Sequence, residues 1–161
     1  MKYVYTKKNG YYHFITFGLS DLDVSSEKKD WSKYGFELTF KLEKSEKINE
    51  EELKSFCGIL QQLAKYVYES GKLFKPYEYI YTGQTDGIDM NHISSIVAFV
   101  TIEDTMLGTI DTINGKLQFV ELIGITLDEI NKILNKIQTK DEVINNILEK
   151  YGDITSYERK M

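Results

Sequence analysis

The chain has 161 residues, of which 42% are hydrophobic and 13% aromatic, which is ample for one buried core and too much for a disordered chain. The formal net charge of −5 disfavours nucleic acid as a partner, because an acidic surface repels phosphate and attracts a basic protein. The single cysteine excludes an internal disulfide, and no apolar run has the length of a signal peptide or a membrane span. We therefore expect a cytoplasmic protein that does not enter a membrane.

The N-terminal part of the chain begins with segments typical of β-strands. Residues 3–6 and 11–17 flank an Asn-Gly pair, which tolerates the positive φ angles of a tight hairpin turn. Residues 18–33 are polar and rich in turn formers, and we expect an exposed loop there. Apolar and polar side chains alternate in residues 34–42, which predicts a strand buried on one face only. Glu37 occupies a polar position of this strand and is expected to face solvent.

A long helix follows. Asn49 is a typical N-cap residue, and Glu52 stands three residues later, where it can complete a capping box. Gly71 is expected to end the helix, because glycine readily adopts the left-handed conformation found there. Cys57 lies on the apolar face and is expected to be a small core residue, not a reactive thiolate. The apolar face repeats at steps of three and four residues: Leu53, Phe56, Cys57, Leu60, Leu63, Ala64 and Val67.

The second half of the chain predicts strands and then two helices. Residues 94–102 are typical of a central strand, and residues 109–113 and 116–125 are joined by a second Asn-Gly turn. Capping boxes at Thr126 and Thr139 predict two helix starts. The side chains expected to face the sheet are Ile130, Ile133, Leu134 and Ile137 in the first of these helices and Val143, Ile147, Leu148 and Tyr151 in the second.

This order of elements defines the predicted fold class. Strands, one helix, further strands and two more helices are typical of an α+β (mixed α/β) protein. We expect a largely antiparallel sheet on which one long helix and two C-terminal helices pack. The prediction is a single domain over residues 1–161.

The residues offer little metal or cofactor chemistry. His13 and His92 are the only histidines, and neither belongs to a metal-binding motif. We expect His13 to be a half-exposed ring in a strand and His92 to be solvated. The loop at residues 86–91 carries two aspartates but lacks the spacing and distal glutamate of an EF-hand. The sequence therefore predicts neither a metal site nor a cofactor.

Two carboxylates keep an enzymatic alternative open. Glu37 and Glu121 interrupt otherwise apolar strands, which is where a catalytic pair with a shifted pKa could lie. A hydrolase or transferase would require the two side chains to converge in a pocket. We favour the alternative that both face solvent, and predict no catalytic residue.

Three segments taken together resemble the Suppressor of fused (SUFU) family. They are residues 13–22 (HFITFGLSDL), 34–42 (YGFELTFKL) and 60–74 (LQQLAKYVYESGKLF). Two further segments, residues 107–126 and 152–159, are similar to the hairpin and the C-terminal motif of the family. The resemblance covers nearly the whole chain and implies a mixed α/β domain that binds proteins and catalyses nothing.

The resemblance also implies a kind of partner. Bacterial single-domain members resemble immunity proteins or antitoxins, so we expect a bacterial protein that binds and neutralises a toxin, such as a basic nuclease domain. The alternative is a regulatory scaffold that binds a peptide along a sheet edge. The oligomeric state stays open. The expected partner contacts lie in two loops: Asp21, Leu22, Asp23 and Trp31 in the first, and Asp86 and Asp89 in the second.

Overall fold

The computed structural model describes residues 2–7, 10–20 and 29–160, with the backbone alone for residues 2–7. The strands are β1 (Lys2–Lys7), β2 (Tyr11–Phe17), β3 (Trp31–Glu43), β4 (Tyr79–Ile80), β5 (Ile96–Glu103), β6 (Thr109–Thr112) and β7 (Gly115–Thr126). The helices are α1 (Glu50–Ser70), α2 (Leu127–Leu134) and α3 (Lys140–Tyr151). No helix in this part of the chain is both long and apolar enough to cross a membrane.

The strands form one seven-stranded sheet. Six of them follow the order β1-β2-β3-β7-β5-β4, and the seventh, β6, pairs with β7 outside this order. The central strands β3 and β7 are parallel, while the other paired strands of the described sheet are antiparallel. The predicted α+β class, with a largely antiparallel sheet, one long helix and two C-terminal helices, is confirmed.

Helix α1 covers one face of the sheet. Its apolar stripe packs against the inward side chains of the central strands, and the rings of Phe40 and Phe56 stack with a centroid distance of 4.0 Å. Cys57 is 1% exposed, which confirms its predicted place in the core. Local chemistry sets the two ends of the helix.

At the first end, the Asn49 side chain accepts a 2.9 Å hydrogen bond from the Glu52 backbone N–H, so the predicted N-cap is confirmed. The predicted box with Glu52 is wrong, because the Glu52 carboxylate instead accepts from the Met90 backbone N–H. Gly71 ends the helix in the left-handed region, with a φ of 70°.

Helices α2 and α3 cover part of the opposite face, where a second apolar cluster forms with β5 and β7. Both predicted capping boxes are present, at Thr126 and Thr139. The prediction that Leu134 and Ile137 face the sheet is wrong: they are 43% and 70% exposed, because α2 ends at Leu134 and the chain turns away. Tyr151 is likewise 37% exposed.

Strand β3 differs from its prediction in two ways. It begins at Trp31, so the last three residues of the predicted loop belong to a strand. Glu37 does not face solvent; its exposure is 0%, because both faces of this central strand are covered. Apolar and polar side chains do alternate along β3. The polar side chains are buried on the second face of the strand and do not meet water.

Candidate functional site: an exposed aromatic surface and a buried polar layer

Aromatic and apolar side chains are exposed together where α1 ends and the chain crosses to β4. We call this the aromatic surface and define it by the residues that build it: Trp31, Tyr34, Tyr66, Tyr68, Leu73, Phe74, Tyr77 and Tyr79. Trp31, Tyr66, Leu73 and Tyr79 are 42–47% exposed, although each is large and apolar. Clusters of this kind commonly mark interaction sites in soluble proteins.

Two neighbouring grooves run through the aromatic surface. The first has a volume of about 580 Å³ and the second about 440 Å³. Leu73, Phe74 and Lys75 line both grooves, so these residues form the ridge between them. Trp31 and Tyr34 line the far side of the first groove, whose remaining lining residues are Lys33, Gly35, Phe36, Pro76 and Gln118. The second groove is completed by Tyr66, Lys72, Glu78 and Tyr79.

The segment after α1 is held in place by backbone contacts to β5. Tyr77 donates its backbone N–H to the carbonyl of Thr101 at 2.7 Å, and the Thr101 hydroxyl donates to the carbonyl of Lys75 at 2.6 Å. The ring of Phe74 stacks on that of Tyr66, with centroids 5.9 Å apart. Tyr77 has a φ of 62°, a left-handed conformation that is costly for a bulky residue. The grooves are therefore lined by an anchored segment.

An irregularity in β3 places Trp31 at the groove. The register with β7 shifts between Trp31 and Phe36, and Lys33 and Gly35 have φ angles of 53° and 81°. A β-carbon built on Gly35 would lie 3.0 Å from Cε3 of Trp31, so the indole packs directly over this glycine. Irregularities of this kind turn a side chain away from its regular position in the sheet.

The predicted contact residues do not all meet at this surface. Trp31 lines the first groove, whereas Asp86 is exposed on a different loop and lines neither groove. Asp89 is only 6% exposed, and its carboxylate accepts backbone hydrogen bonds from Ile93 and Ser94. Its contacts organise the loop, and its role as a partner contact stays a prediction. The remaining predicted contacts lie outside the described residues: Asp21, Leu22 and Asp23.

The face of the central strands opposite α1 carries a buried polar layer. The ammonium of Lys41 lies 2.6 Å from Oδ2 of Asp153, 3.1 Å from Oε2 of Glu121 and 3.0 Å from the hydroxyl of Thr105. Burial alone would lower the pKa of Lys41, but its hydrogen bond to Asp153 and the charge of Glu121 raise it. Burial also raises the pKa of Glu121 to about 8, against the opposing effect of Lys41. The Lys41 ammonium therefore contacts two acidic side chains, and Asp153 is the one that stays ionised.

His13 belongs to the same layer, so the expectation of a half-exposed ring is wrong. It is 3% exposed, and its Nε2 donates to Oδ2 of Asp104 at 3.1 Å. The hydroxyl of Thr39 donates to the same oxygen at 2.6 Å. Although burial would raise the pKa of the Asp104 carboxyl, these hydrogen bonds and two from backbone N–H groups hold it well below its usual range.

Glu37 and Glu121 are the pair required by the hydrolase alternative, and their positions differ from the expectation that both face solvent. Glu37 pairs in register with Phe119, and Thr39 pairs with Glu121, so both carboxylates lie on one face of the sheet and both are buried. Their hydrogen bonds differ: Glu37 accepts from Thr16, Gly18 and Ser20, and Glu121 accepts from Lys41. Neither carboxylate lines a groove of the aromatic surface. Within the described residues, no group of three or more His, Cys, Asp or Glu side chains is placed to hold a metal ion.

The fold defines a class: an α+β domain with a seven-stranded mixed sheet, helices on both faces and an exposed aromatic surface. The chain belongs to the Suppressor of fused family, because the family model "Suppressor of fused protein (SUFU)" matches residues 1–160. This is a protein-interaction family, and the predicted resemblance is confirmed.

Solved structures are similar over almost the whole chain. A chain of the Sufu–Fu complex crystal structure matches with a TM-score of 0.82 and 24% identity, covering 99% of this chain and 75% of that one. Drosophila Suppressor of Fused matches with a TM-score of 0.79 and 23% identity, covering 99% of this chain and 42% of that one. Identities this low show the shared fold alone. No curated protein matches the sequence.

Proposed function

We propose that this domain works by holding a partner protein on the aromatic surface and is not an enzyme. The observation that carries the proposal is the anchored ridge of Leu73 and Phe74 between two open grooves, with Trp31 at the far side of the first. Apolar and aromatic side chains of this kind dominate the energetics of protein interfaces. The Sufu–Fu complex shows that a similar fold occurs in a structure with a protein partner.

We further propose that the partner is a toxin and that the chain is a cytoplasmic immunity protein or antitoxin from a bacterium. Residues 1–161 would act as one domain, and binding would occlude the active site of the toxin. The net charge of −5 supports a basic partner, such as a nuclease domain, because opposite net charges speed encounter. The contacts proposed in addition to Trp31 are Asp21, Leu22 and Asp23 of the first loop and Asp86 and Asp89 of the second.

The proposal is tested by co-expression with the product of the neighbouring gene. If that product is toxic, the wild-type chain should restore growth and co-purify with it. Leu73→Asp, which places a charge on the ridge, should abolish both effects. Ile137→Asp is the matched control, because Ile137 is an exposed apolar residue outside both grooves.

Each outcome rejects a different part of the proposal. Equal protection by the Leu73→Asp variant would reject the aromatic surface as the binding site. A neighbouring product without toxicity, in a strain that the chain protects against nothing, would reject the immunity function. Turnover of a substrate that is lost on Glu121→Gln would support the hydrolase alternative instead.

A regulatory scaffold is the second candidate, and the position of β4 favours it. This short strand ends the described sheet and pairs with β5 on one side, while its residue Tyr79 lines the second groove. A peptide in that groove could therefore add as a strand beside β4. Slower amide hydrogen exchange at Tyr79 and Ile80 in the complex would support edge addition, and unchanged exchange there would reject it.

A further inference from the structure

The grooves of the aromatic surface carry positive charge, although the chain as a whole is acidic. Among the residues that the structure describes, their charged lining residues are Lys33, Lys72, Lys75 and Glu78, which is three cations and one anion. The whole chain has 25 acidic and 20 basic residues. The charge at the proposed binding site is therefore opposite in sign to the net charge that favours a basic partner.

The three lysines are not neutralised within the described residues. Lys72 and Lys75 are exposed, and neither forms an ion pair with a carboxylate there. The ammonium of Lys33 donates to the carbonyl of Gly18 at 3.0 Å and lies 5.1 Å from the ring centroid of Tyr68. A carbonyl and a ring orient the ammonium but do not cancel its charge.

Glu78, the one anion among the described lining residues, takes part in the local structure of the segment. The Glu78 carboxylate accepts a 3.3 Å hydrogen bond from the backbone N–H of Lys75, within the segment that forms the ridge. It therefore helps to shape the segment, while the lysine ammonium groups remain available at the rim. The two grooves combine apolar and aromatic lining residues with lysines.

We propose that the aromatic surface binds an acidic, apolar polypeptide segment. This inference rests on the proposed function, because it takes the aromatic surface as the partner site. Apolar side chains of the segment enter the grooves on either side of the Leu73 and Phe74 ridge, and its carboxylates meet Lys33, Lys72 and Lys75. A partner of basic net charge can present such a segment, since the charge of an interface is local.

A polypeptide fits these observations better than a single-stranded nucleic acid does. Aromatic rings and lysines also bind bases and phosphates, but a nucleic acid carries a charge on every nucleotide. The acidic remainder of this chain would repel that continuous charge, whereas a peptide can place its few carboxylates at the lysines alone. A nucleic acid is therefore the competing occupant that the experiment includes.

The test uses three fluorescently labelled peptides with the same leucine and phenylalanine positions. The residues between them are Asp and Glu in the first peptide, Ser and Gln in the second, and Lys in the third. Fluorescence polarisation should show the acidic peptide binding at least about tenfold more tightly than the basic one. The preference should shrink as salt rises from about 50 to 300 mM, because screening weakens exposed charge pairs.

Charge reversal identifies the lysines responsible. The double variant Lys72→Glu with Lys75→Glu should lose the preference for the acidic peptide. The matched double variant Lys54→Glu with Lys140→Glu makes the same change in net charge at exposed positions outside the grooves and should keep it. Circular dichroism should confirm that both double variants fold.

The outcomes separate this inference from the function on which it rests. If Leu73→Asp abolishes partner binding while the acidic and basic peptides bind equally, the aromatic surface is supported as the partner site. The proposal that it binds an acidic segment is then rejected. If none of the three peptides binds, or if a single-stranded oligonucleotide binds more tightly than the acidic peptide, the inference is also overturned. If the Leu73→Asp variant still protects against the toxin, both the aromatic surface as the partner site and the acidic segment as its occupant are rejected.

Discussion

The ammonium of Lys41 and the carboxylate of Glu121 meet at 3.1 Å between neighbouring parallel strands, with side-chain exposures of 2% and 0%. Asp153, which follows α3, completes the group from 112 positions further along the chain than Lys41. Three segments distant in sequence are thus joined at one buried cation. Breaking such a contact is costly, because a buried charge loses its partner and cannot regain water.

Lys41→Met should destabilise the domain by about 3 kcal/mol, because it leaves the charge of Asp153 without its cation. The double variant with Asp153→Asn should recover at least about 1 kcal/mol, since the amide can still accept from Thr105. Urea denaturation measures both effects. Lys47→Met, at an exposed ion pair, is the control and should change stability little. A Lys41→Met variant as stable as this control would contradict the buried network.

Glu121 should make the stability of the domain depend on pH. Its pKa is about 8 in the folded state against an ordinary value of 4.5, so between these pH values the folded chain retains a proton that the unfolded chain releases. Stability contributed by this group is present at low pH and is lost as pH rises towards 8, by up to about 1.4 kcal/mol per pH unit.

Glu121→Gln should remove that loss, because the amide stays neutral at every pH. The stability of the variant relative to wild type should therefore increase from pH 5 to pH 8 in urea titrations. Glu149→Gln on the exposed face of α3 controls for the change in net charge. Parallel stability curves for wild type and Glu121→Gln would show that Glu121 titrates normally.

Local signals in the sequence predicted the helix ends but not the environment of the strands. Asn49, Thr126 and Gly71 act through hydrogen bonds and dihedral angles within a few residues, so their positions could be read directly. His13 was expected to be half-exposed because histidine commonly is. Glu37 was expected to face solvent because alternation identifies two faces without saying what covers the second. That cover comes from distant parts of the chain.

The buried network and the aromatic surface left weaker signals. Lys41 and Glu121 are opposite charges in the middle of two apolar strands, which would have indicated a pair if the strands had been taken as neighbours. Tyr66 and Tyr68 lie off the apolar stripe of α1, which indicates exposed aromatic rings. Nothing local could place Asp153 beside Lys41, since their contact depends on the path of the whole C-terminal segment.

Gly124 should tolerate no larger residue, because the C-terminal segment passes directly over it. A β-carbon there would lie 2.6 Å from Cγ2 of Ile96 and 2.7 Å from Cγ2 of Thr155. Thr155 also bridges the central strands: its N–H donates to the carbonyl of Lys41, and its hydroxyl accepts from the N–H of Gly124. Gly124→Ala should therefore destabilise the domain by about 1–3 kcal/mol.

Hydrogen exchange of the Thr155 amide should become faster in Gly124→Ala, since the overpacked segment opens more often. Gly58→Ala is the matched control: it lies in α1 with nothing within 4 Å of the added carbon. Because alanine favours helices, that change should stabilise by about 0.5–1 kcal/mol. Equal effects of the two substitutions would show that Gly124 is not closely covered.

Glu37 should connect the buried layer to the aromatic surface. Its carboxylate accepts from the backbone N–H groups of Gly18 and Ser20, each at 2.9 Å, and from the hydroxyls of Thr16 and Ser20, each at 2.6 Å. The carbonyl of Gly18 in turn accepts from Lys33 and from the hydroxyl of Tyr68. One buried acceptor thus fixes a turn that also orients part of the groove rim.

Glu37→Gln should cost about 2 kcal/mol or more in urea denaturation, because the amide turns N–H groups towards donors that need an acceptor. The exposed Glu43 on the same strand supplies the control Glu43→Gln, which should change stability by less than about 0.5 kcal/mol. Since Gly18 also holds Lys33, Glu37→Gln should weaken binding of the acidic peptide even where the variant is fully folded. Unchanged peptide affinity together with lost stability would limit Glu37 to a structural role and separate the turn from the binding surface.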